Sequence, residues 1–249
     1  MQTQGHVRGE GFQLTSSARV GILAAVPKMG KYLKPTFFID CDSSLIKEKA
    51  QQLTAGQEDD LEKAKSLFYF VRDEVRYNPY LPKYLREHFR ASNILTTGQG
   101  YCVQKAVLLV ALARAAGIPS RIGFAMIRNN LMPDKLYQVM KTNIYPWHGY
   151  AELYLKGKWV KATPTLDLKM CQENDIVPVE FDGQSDAMLH LYSREGKLHI
   201  EYLMHRGPFD DVPLEQIRES LSERGLLGNA STDVNPSLPD STGRPSVPQ

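Results

Sequence analysis

Residues 96–119 read Thr-Thr-Gly-Gln-Gly-Tyr-Cys-Val-Gln-Lys-Ala-Val-Leu-Leu-Val-Ala-Leu-Ala-Arg-Ala-Ala-Gly-Ile-Pro. Gly98 and Gly100 make a flexible turn that feeds a helix predicted over Cys102 to Ala116. Ala106, Leu109, Val110 and Ala113 form its apolar stripe, and Gly117-Ile118-Pro119 closes it. Cys102 therefore stands in the first turn of a long helix. The positive helix end favours its thiolate, and a nearby imidazolium would favour it further, so its pKa can fall below about 8.5. The glycine-rich approach offers backbone N–H groups near the sulfur, including that of Cys102 itself, as an oxyanion hole for acyl transfer. Taken alone, a single free cysteine is more often a small buried hydrophobe than a nucleophile. Cys41 and Cys171 open no long amphipathic helix and keep that plainer reading.

Working outward toward the N-terminus, residues 58–77 carry Leu61, Ala64, Leu67, Phe68, Val71 and Val75 at helical spacing, with Asn78-Pro79 as the stop. Residues 35–40 resemble a short buried strand. Asp42-Ser43-Ser44 caps a helix running to about Thr54, which Gly56 ends. A polar connection leads through Arg90. Toward the C-terminus, Ser120 to Ile127 alternates as a strand, and 128–143 reads as a long loop with one helical turn. His148 to Leu155 and Lys158 to about Thr163 form a hairpin around Lys156-Gly157. A second hairpin, Met188 to Tyr192 with Leu198 to Leu203, turns at Glu195-Gly196, and Pro213 to Arg224 reads as a helix. Helices first and strands second argue an α+β fold.

His148 follows Tyr145-Pro146-Trp147 and opens a strand, where a rigid sheet edge would hold its ring as a general base. If Lys156-Gly157 is a two-residue turn, the register sets Thr165 opposite His148. Thr163 and Asp167 are then diagonal neighbours, roughly 7–8 Å away between backbone positions. Asp167 alone carries a carboxylate that would hold the imidazole tautomer, although Pro164 interrupts the ladder. His88 and His205 read as surface residues. His190 and His199, on opposite arms of the second hairpin, make a weak metal pair, and Cys102, His148 and Cys171 fit no short zinc spacing, so neither metal nor cofactor is expected. Tyr101, Tyr145, Trp147 and Tyr150 are either aromatic anchors for a substrate or ordinary packing. Glu152 is read as pairing across the sheet with a lysine such as Lys161, and Arg121 as structural.

The bulk properties agree with a soluble globular chain: 249 residues, 42% hydrophobic, 23% charged, formal charge +2. No basic run suits a nucleic-acid partner. Val20 to Val26 is far short of a membrane span, and three scattered cysteines suit a reducing compartment, so a cytoplasmic protein is expected. The organisation is read as an N-terminal arm (1–30), one domain (31–224) and a tail (225–249) too poor in large apolar residues to order itself. Oligomeric state is not legible.

Three blocks carry a resemblance: Gly100-Tyr101-Cys102-Val103-Gln104-Lys105-Ala106; Leu112 to Arg121 (LARAAGIPSR); and His148-Gly149-Tyr150-Ala151-Glu152-Leu153-Tyr154 with Gly157-Lys158-Trp159-Val160. Over roughly residues 35–220 the chain resembles the transglutaminase-like superfamily of microbial proteins. The resemblance implies a papain-like arrangement: Cys102 as nucleophile on a helix, and His148 as base with its orienter on a sheet. It also implies an acyl, amide or peptide-like substrate. Family members commonly have Asp-Pro-Thr after the Trp-Val strand, whereas this chain has Thr163-Pro164-Thr165. Asp167 from the other diagonal, or Thr163 as a neutral orienter, would then replace the usual carboxylate, with Asp167 preferred. The acceptor would be water, an amine or a carbon nucleophile, and a non-catalytic module that grips a peptide is the competing reading.

Overall fold

The computed structural model describes residues 29–81 and 85–223. Nearly all of the expected arm and all of the expected tail lie outside the described residues. Four helices come first: α1 (Ser44–Leu53), α2 (Asp60–Tyr69), α3 (Ala91–Thr97) and α4 (Cys102–Ala115), with two-residue strands β1 (Arg76–Tyr77) and β2 (Gln99–Gly100) between them. Then follow β3 (Ser120–Asn129), α5 (Asp134–Met140), β4 (Ile144–Leu155), β5 (Lys158–Ala162), α6 (Leu168–Glu173), β6 (Ile200–Phe209) and α7 (Leu214–Ser222). The main sheet is antiparallel in the order β5-β4-β3-β6. This is the α+β architecture expected, with helices packed on an antiparallel sheet.

Helix α4 departs from the one-sided stripe. Every residue from Cys102 to Arg114 is buried, because the helix runs between α1–α3 and the sheet, and a helix covered on all sides needs apolar residues on all sides. Its polar residues are absorbed individually. The Arg114 guanidinium donates to the carbonyls of Ser120, Lys34 and Asp210 at 2.7–3.1 Å. Lys105 Nζ donates to the carbonyls of Arg72 and Val75 at 3.0 and 2.6 Å.

Those carbonyls belong to the end of the second helical segment. The helix predicted to Tyr77 leaves α-geometry after Tyr69, widens into a π-turn over residues 70–74 and becomes β1. Strand β1 pairs in parallel with β2 (Arg76 with Gln99, Tyr77 with Gly100). The glycine-rich approach to Cys102 is thus a short strand. Gly98, at φ +62°, ends α3 in the left-handed conformation that glycine adopts without cost.

Residues 35–40 are a turn, where a strand was expected: the Thr36 N–H donates to the Ile39 carbonyl at 3.1 Å, and the Ile39 N–H to Thr36 Oγ1 at 3.2 Å. The buried Asp40 that follows accepts from the Ser92 hydroxyl and N–H at 2.5 and 3.1 Å and from Arg90 at 3.0 Å, which anchors the first turn of α3. The first hairpin has the expected turn, with Lys156 and Gly157 at φ 47° and 86° and Leu155 opposite Lys158. Glu152 pairs with Arg121 at 2.7 Å, while Lys161 turns to Asp186 at 2.7 Å. The second hairpin is short and irregular, with a bridge between Tyr192 and Leu198 and the His199 N–H donating to the Leu191 carbonyl at 2.7 Å. Beyond it the chain leaves as β6 to pair with β3.

Candidate active site

Cys102 is the first residue of α4 and is 4% exposed. The helix start is tied on both sides: Gln104 Oε1 accepts from the Tyr101 N–H at 3.1 Å, and Gln104 Nε2 donates to the His88 carbonyl at 2.8 Å. This is the reach-back that a residue at the third helical position supplies in a capping box. The Cys102 N–H belongs to the positive end of a fourteen-residue helix.

His148 sits in β4, 1% exposed, paired with Ala125 of β3. Its strand reaches Cys102 through Gly149. A Cβ on Gly149 would stand 2.8 Å from the Cα of Val103, the residue after the cysteine. Only a glycine there lets the sheet lie against the first turn of α4. Cys102 and His148 line the same cavity, about 420 Å³ in volume, with walls from β1, β3, α5, β4 and α6.

Burial alone pushes the His148 imidazole down to about 3, so the ring is neutral near pH 7 and its protonated form is disfavoured. Its Nε2 is buried and has no hydrogen-bond partner among the described residues. Its ring meets Tyr202 of β6 edge-on, with centroids 6.0 Å apart. The two other cysteines are buried, Cys41 beside the turn before α1 and Cys171 within α6. Burial raises both thiols, that of Cys171 to about 11.

The structure gives both expected orienters other partners. Asp167 caps α6: its Oδ1 accepts from the Met170 N–H at 2.9 Å, and its Oδ2 accepts from the Tyr77 N–H of β1 at 3.0 Å. Both oxygens are thereby engaged in holding α6 to β1, because the ladder stops at Ala162 and the chain diverges before Asp167. Thr163 is fully buried, its N–H donates to the Ala187 carbonyl at 2.9 Å, and its hydroxyl lies 3.4 Å from Met188 Sδ and close to the Tyr202 phenol. Thr165, expected opposite His148, lines the cavity with a buried hydroxyl that finds no hydrogen-bond partner among the described residues.

The aromatic candidates divide. Tyr145 lines the cavity, together with Tyr77 and Tyr80. Tyr101, Trp147 and Tyr150 do not. Tyr101 packs edge-on to Phe89, Trp147 lies among Phe124, Phe209 and Arg206, and Tyr150 fills the space above Gly123. These three are packing residues. Sequence reading missed Tyr202, whose arrival beside His148 depends on β6 joining β3, a long-range pairing with no local signal. It also left His199 in the hairpin, whereas His199 is 2% exposed and lines the cavity. Among the described residues no group of three or more His, Cys, Asp or Glu is disposed to hold a metal ion, and no helix is long and apolar enough to cross a membrane.

Residues 47–164 match the model of the transglutaminase-like superfamily. Among solved structures, a protein proposed as a cysteine protease from Cytophaga hutchinsonii matches at 19% identity and a TM-score of 0.44, covering 59% of this chain and 45% of that one. The periplasmic domain of TgpA from Pseudomonas aeruginosa matches at 16% identity and a TM-score of 0.39, covering 55% of this chain and 46% of that one. The chain thus spans less than half the length of either. No curated protein matches it.

Proposed function

From the premise that residues 47–164 form a transglutaminase-like core, we propose that this protein is a cysteine-dependent acyl transferase or amide hydrolase working through a Cys102 thioacyl intermediate. The observation that carries the reading is the joint exposure of Cys102 and His148 to one cavity, with Gly149 and Val103 in backbone contact between them. His148, neutral through burial, takes the thiol proton as Sγ attacks the acyl carbon. The helix end, with the Cys102 N–H, supports the oxyanion. The imidazolium returns its proton to the leaving amine or alkoxide as that bond breaks. Water or an amine, deprotonated by His148, then releases the acyl group and restores the thiol.

A second reading has its own support. Among the described residues Nε2 of His148 is buried without a hydrogen-bond partner, and Thr163 stands where the family resemblance implies an aspartate, so no carboxylate among them meets Nε2 of the imidazolium formed in the first step. A chain so built can keep the cleft as a grip for a peptide while losing turnover. Iodoacetamide alkylation of Cys102 across pH, followed by mass spectrometry in the wild type and in His148→Ala, separates the two, with Cys41 and Cys171 as internal references. The acyl-transfer reading expects Cys102 to react well below pH 8 and to lose that advantage without His148. Indistinguishable behaviour of all three cysteines would favour the grip.

A further inference from the structure

The cavity beside Cys102 is far larger than a single reacting carbonyl needs. At about 30 Å³ for a water-sized group, 420 Å³ holds on the order of a dozen of them. Its walls are predominantly apolar, with Ile127 of β3, Leu136 of α5, Tyr145 of β4, Met170 of α6 and Leu189 converging on it. Among the described residues that line it, Arg76, an exposed residue, is the only one with a formal charge. Tyr80 and Leu131, half and 37% exposed, extend the apolar surface outward. An ammonium inside would be stripped of water with no carboxylate on the walls to meet it, and a carboxylate would find only Arg76, whose exposed guanidinium already donates to Gln99 Oε1 at 3.0 Å. A hydrocarbon chain would lose only its unfavourable contact with water.

Resting on the acyl-transfer reading, we propose that the acyl group taken up by Cys102 is an uncharged, predominantly apolar chain of about eight carbons, seated in this cavity. Small acyl groups leave the cavity unfilled, and acyl groups with a charged end are rejected by it. The acyl chain enters past Tyr80 and Leu131, and the leaving group remains on the solvent side.

The test uses the whole chain and a series of p-nitrophenyl esters: acetate, butyrate, hexanoate, octanoate and the mono-ester of octanedioic acid. Cys102 acylation is followed as the p-nitrophenolate burst and as intact mass, with Cys102→Ala as the blank. Burial of each methylene is expected to speed acylation about fourfold. The expected result is at least a hundredfold gain from acetate to octanoate and at least a tenfold loss from octanoate to the charged octanedioate. Leu136→Trp and Met170→Trp, which fill the cavity from α5 and from α6, each compress the octanoate-to-acetate ratio by tenfold or more. Two variants are used so that one folding failure does not remove the readout. If Cys102 is alkylated by iodoacetamide yet shows a flat chain-length profile, or takes octanedioate as fast as octanoate, the pocket assignment is overturned and the nucleophile stands. If Cys102 resists both iodoacetamide and every ester, the acyl-transfer reading fails and the assignment falls with it.

Discussion

The two halves of the site are built differently. On the nucleophile side, the backbone around Cys102 is fixed by polar groups with named partners: Gln104 on Tyr101 and His88, Lys105 on Arg72 and Val75, and Asp167 on Tyr77. On the His148 side, the imidazole is positioned by its ladder, by Tyr202 and by the approach of Gly149, while its Nε2 has no hydrogen-bond partner among the described residues. Packing alone is enough to place this imidazole. It does not stabilise the cation that the base becomes, and that second task is the one a carboxylate performs. The difference separates two properties often credited to a triad together: where the imidazole stands, and what its charge costs.

Gly149→Ala attacks placement and carries the largest expected effect. The new Cβ meets backbone, 2.8 Å from Val103 Cα, so β4 or α4 must shift. A displacement of that order at reacting groups costs up to about a hundredfold in rate, and overpacking adds roughly 1–3 kcal/mol of instability. Unchanged burst kinetics and urea midpoint in this variant would show that the two elements do not hold each other.

Charge cost is read from acid stability. The His148 pKa is about 3 in the folded chain and near 6.5 unfolded, so the unfolded state binds the proton first as pH falls. Its contribution is flat above pH 6.5 and is lost at up to about 1.4 kcal/mol per pH unit below it, reaching about 2 kcal/mol at pH 5. Urea unfolding of wild type and His148→Phe at pH 7.5 and 5.0 should show the wild type losing about that much more than the variant. Equal losses would mean that His148 is not desolvated.

Thr163→Asp tests whether the missing carboxylate is the limiting element. Thr163 and His148 share Tyr202 as a neighbour, and an opposite charge within about 4–6 Å raises an imidazole pKa by 1–3 units. The imidazolium is then easier to form, and alkylation of Cys102 at pH 6 should rise about tenfold, at some loss of stability from a buried carboxylate. A folded variant with an unchanged alkylation profile would locate the limitation elsewhere.

How much of this was legible follows the same division. The nucleophile helix, the hairpin register near its turn and the α7 helix came from periodicity, glycine positions and stop residues, all short-range signals. Helix α3 was missed because Ser92, Asn93, Thr96 and Thr97 leave this short segment without a clear apolar period, while its anchor, Asp40, lies 52 positions from Ser92. The extension of α2 to Tyr77 failed because Lys105, from another element, takes the carbonyls that a continuing helix would use. Trp147 and Tyr150 were candidate anchors because aromatic character does not say which side of a strand meets a cavity. Thr163 was recognised as a departure from the family pattern, but no local signal brought Tyr202 to it.

Asp167 marks where extrapolated register gave out, and it supports the smallest prediction. The ladder ends at Ala162, five residues earlier, and both Asp167 oxygens are committed to N–H donors on α6 and β1. Asp167 also favours the charged form of buried Lys105, whose pKa burial lowers to about 7. Asp167→Asn keeps one acceptor for the Met170 N–H and loses the charge. Substitution at such a cap costs on the order of 1 kcal/mol. If Asp167 acts through α6 and β1, the variant shows that modest loss in urea while Cys102 acylation stays within about threefold and the pH dependence of alkylation is unmoved. A drop of several hundredfold with a displaced pH profile would mean that the carboxylate swings to His148 when substrate binds, and the base side of the site would then be as fully supported as the nucleophile side.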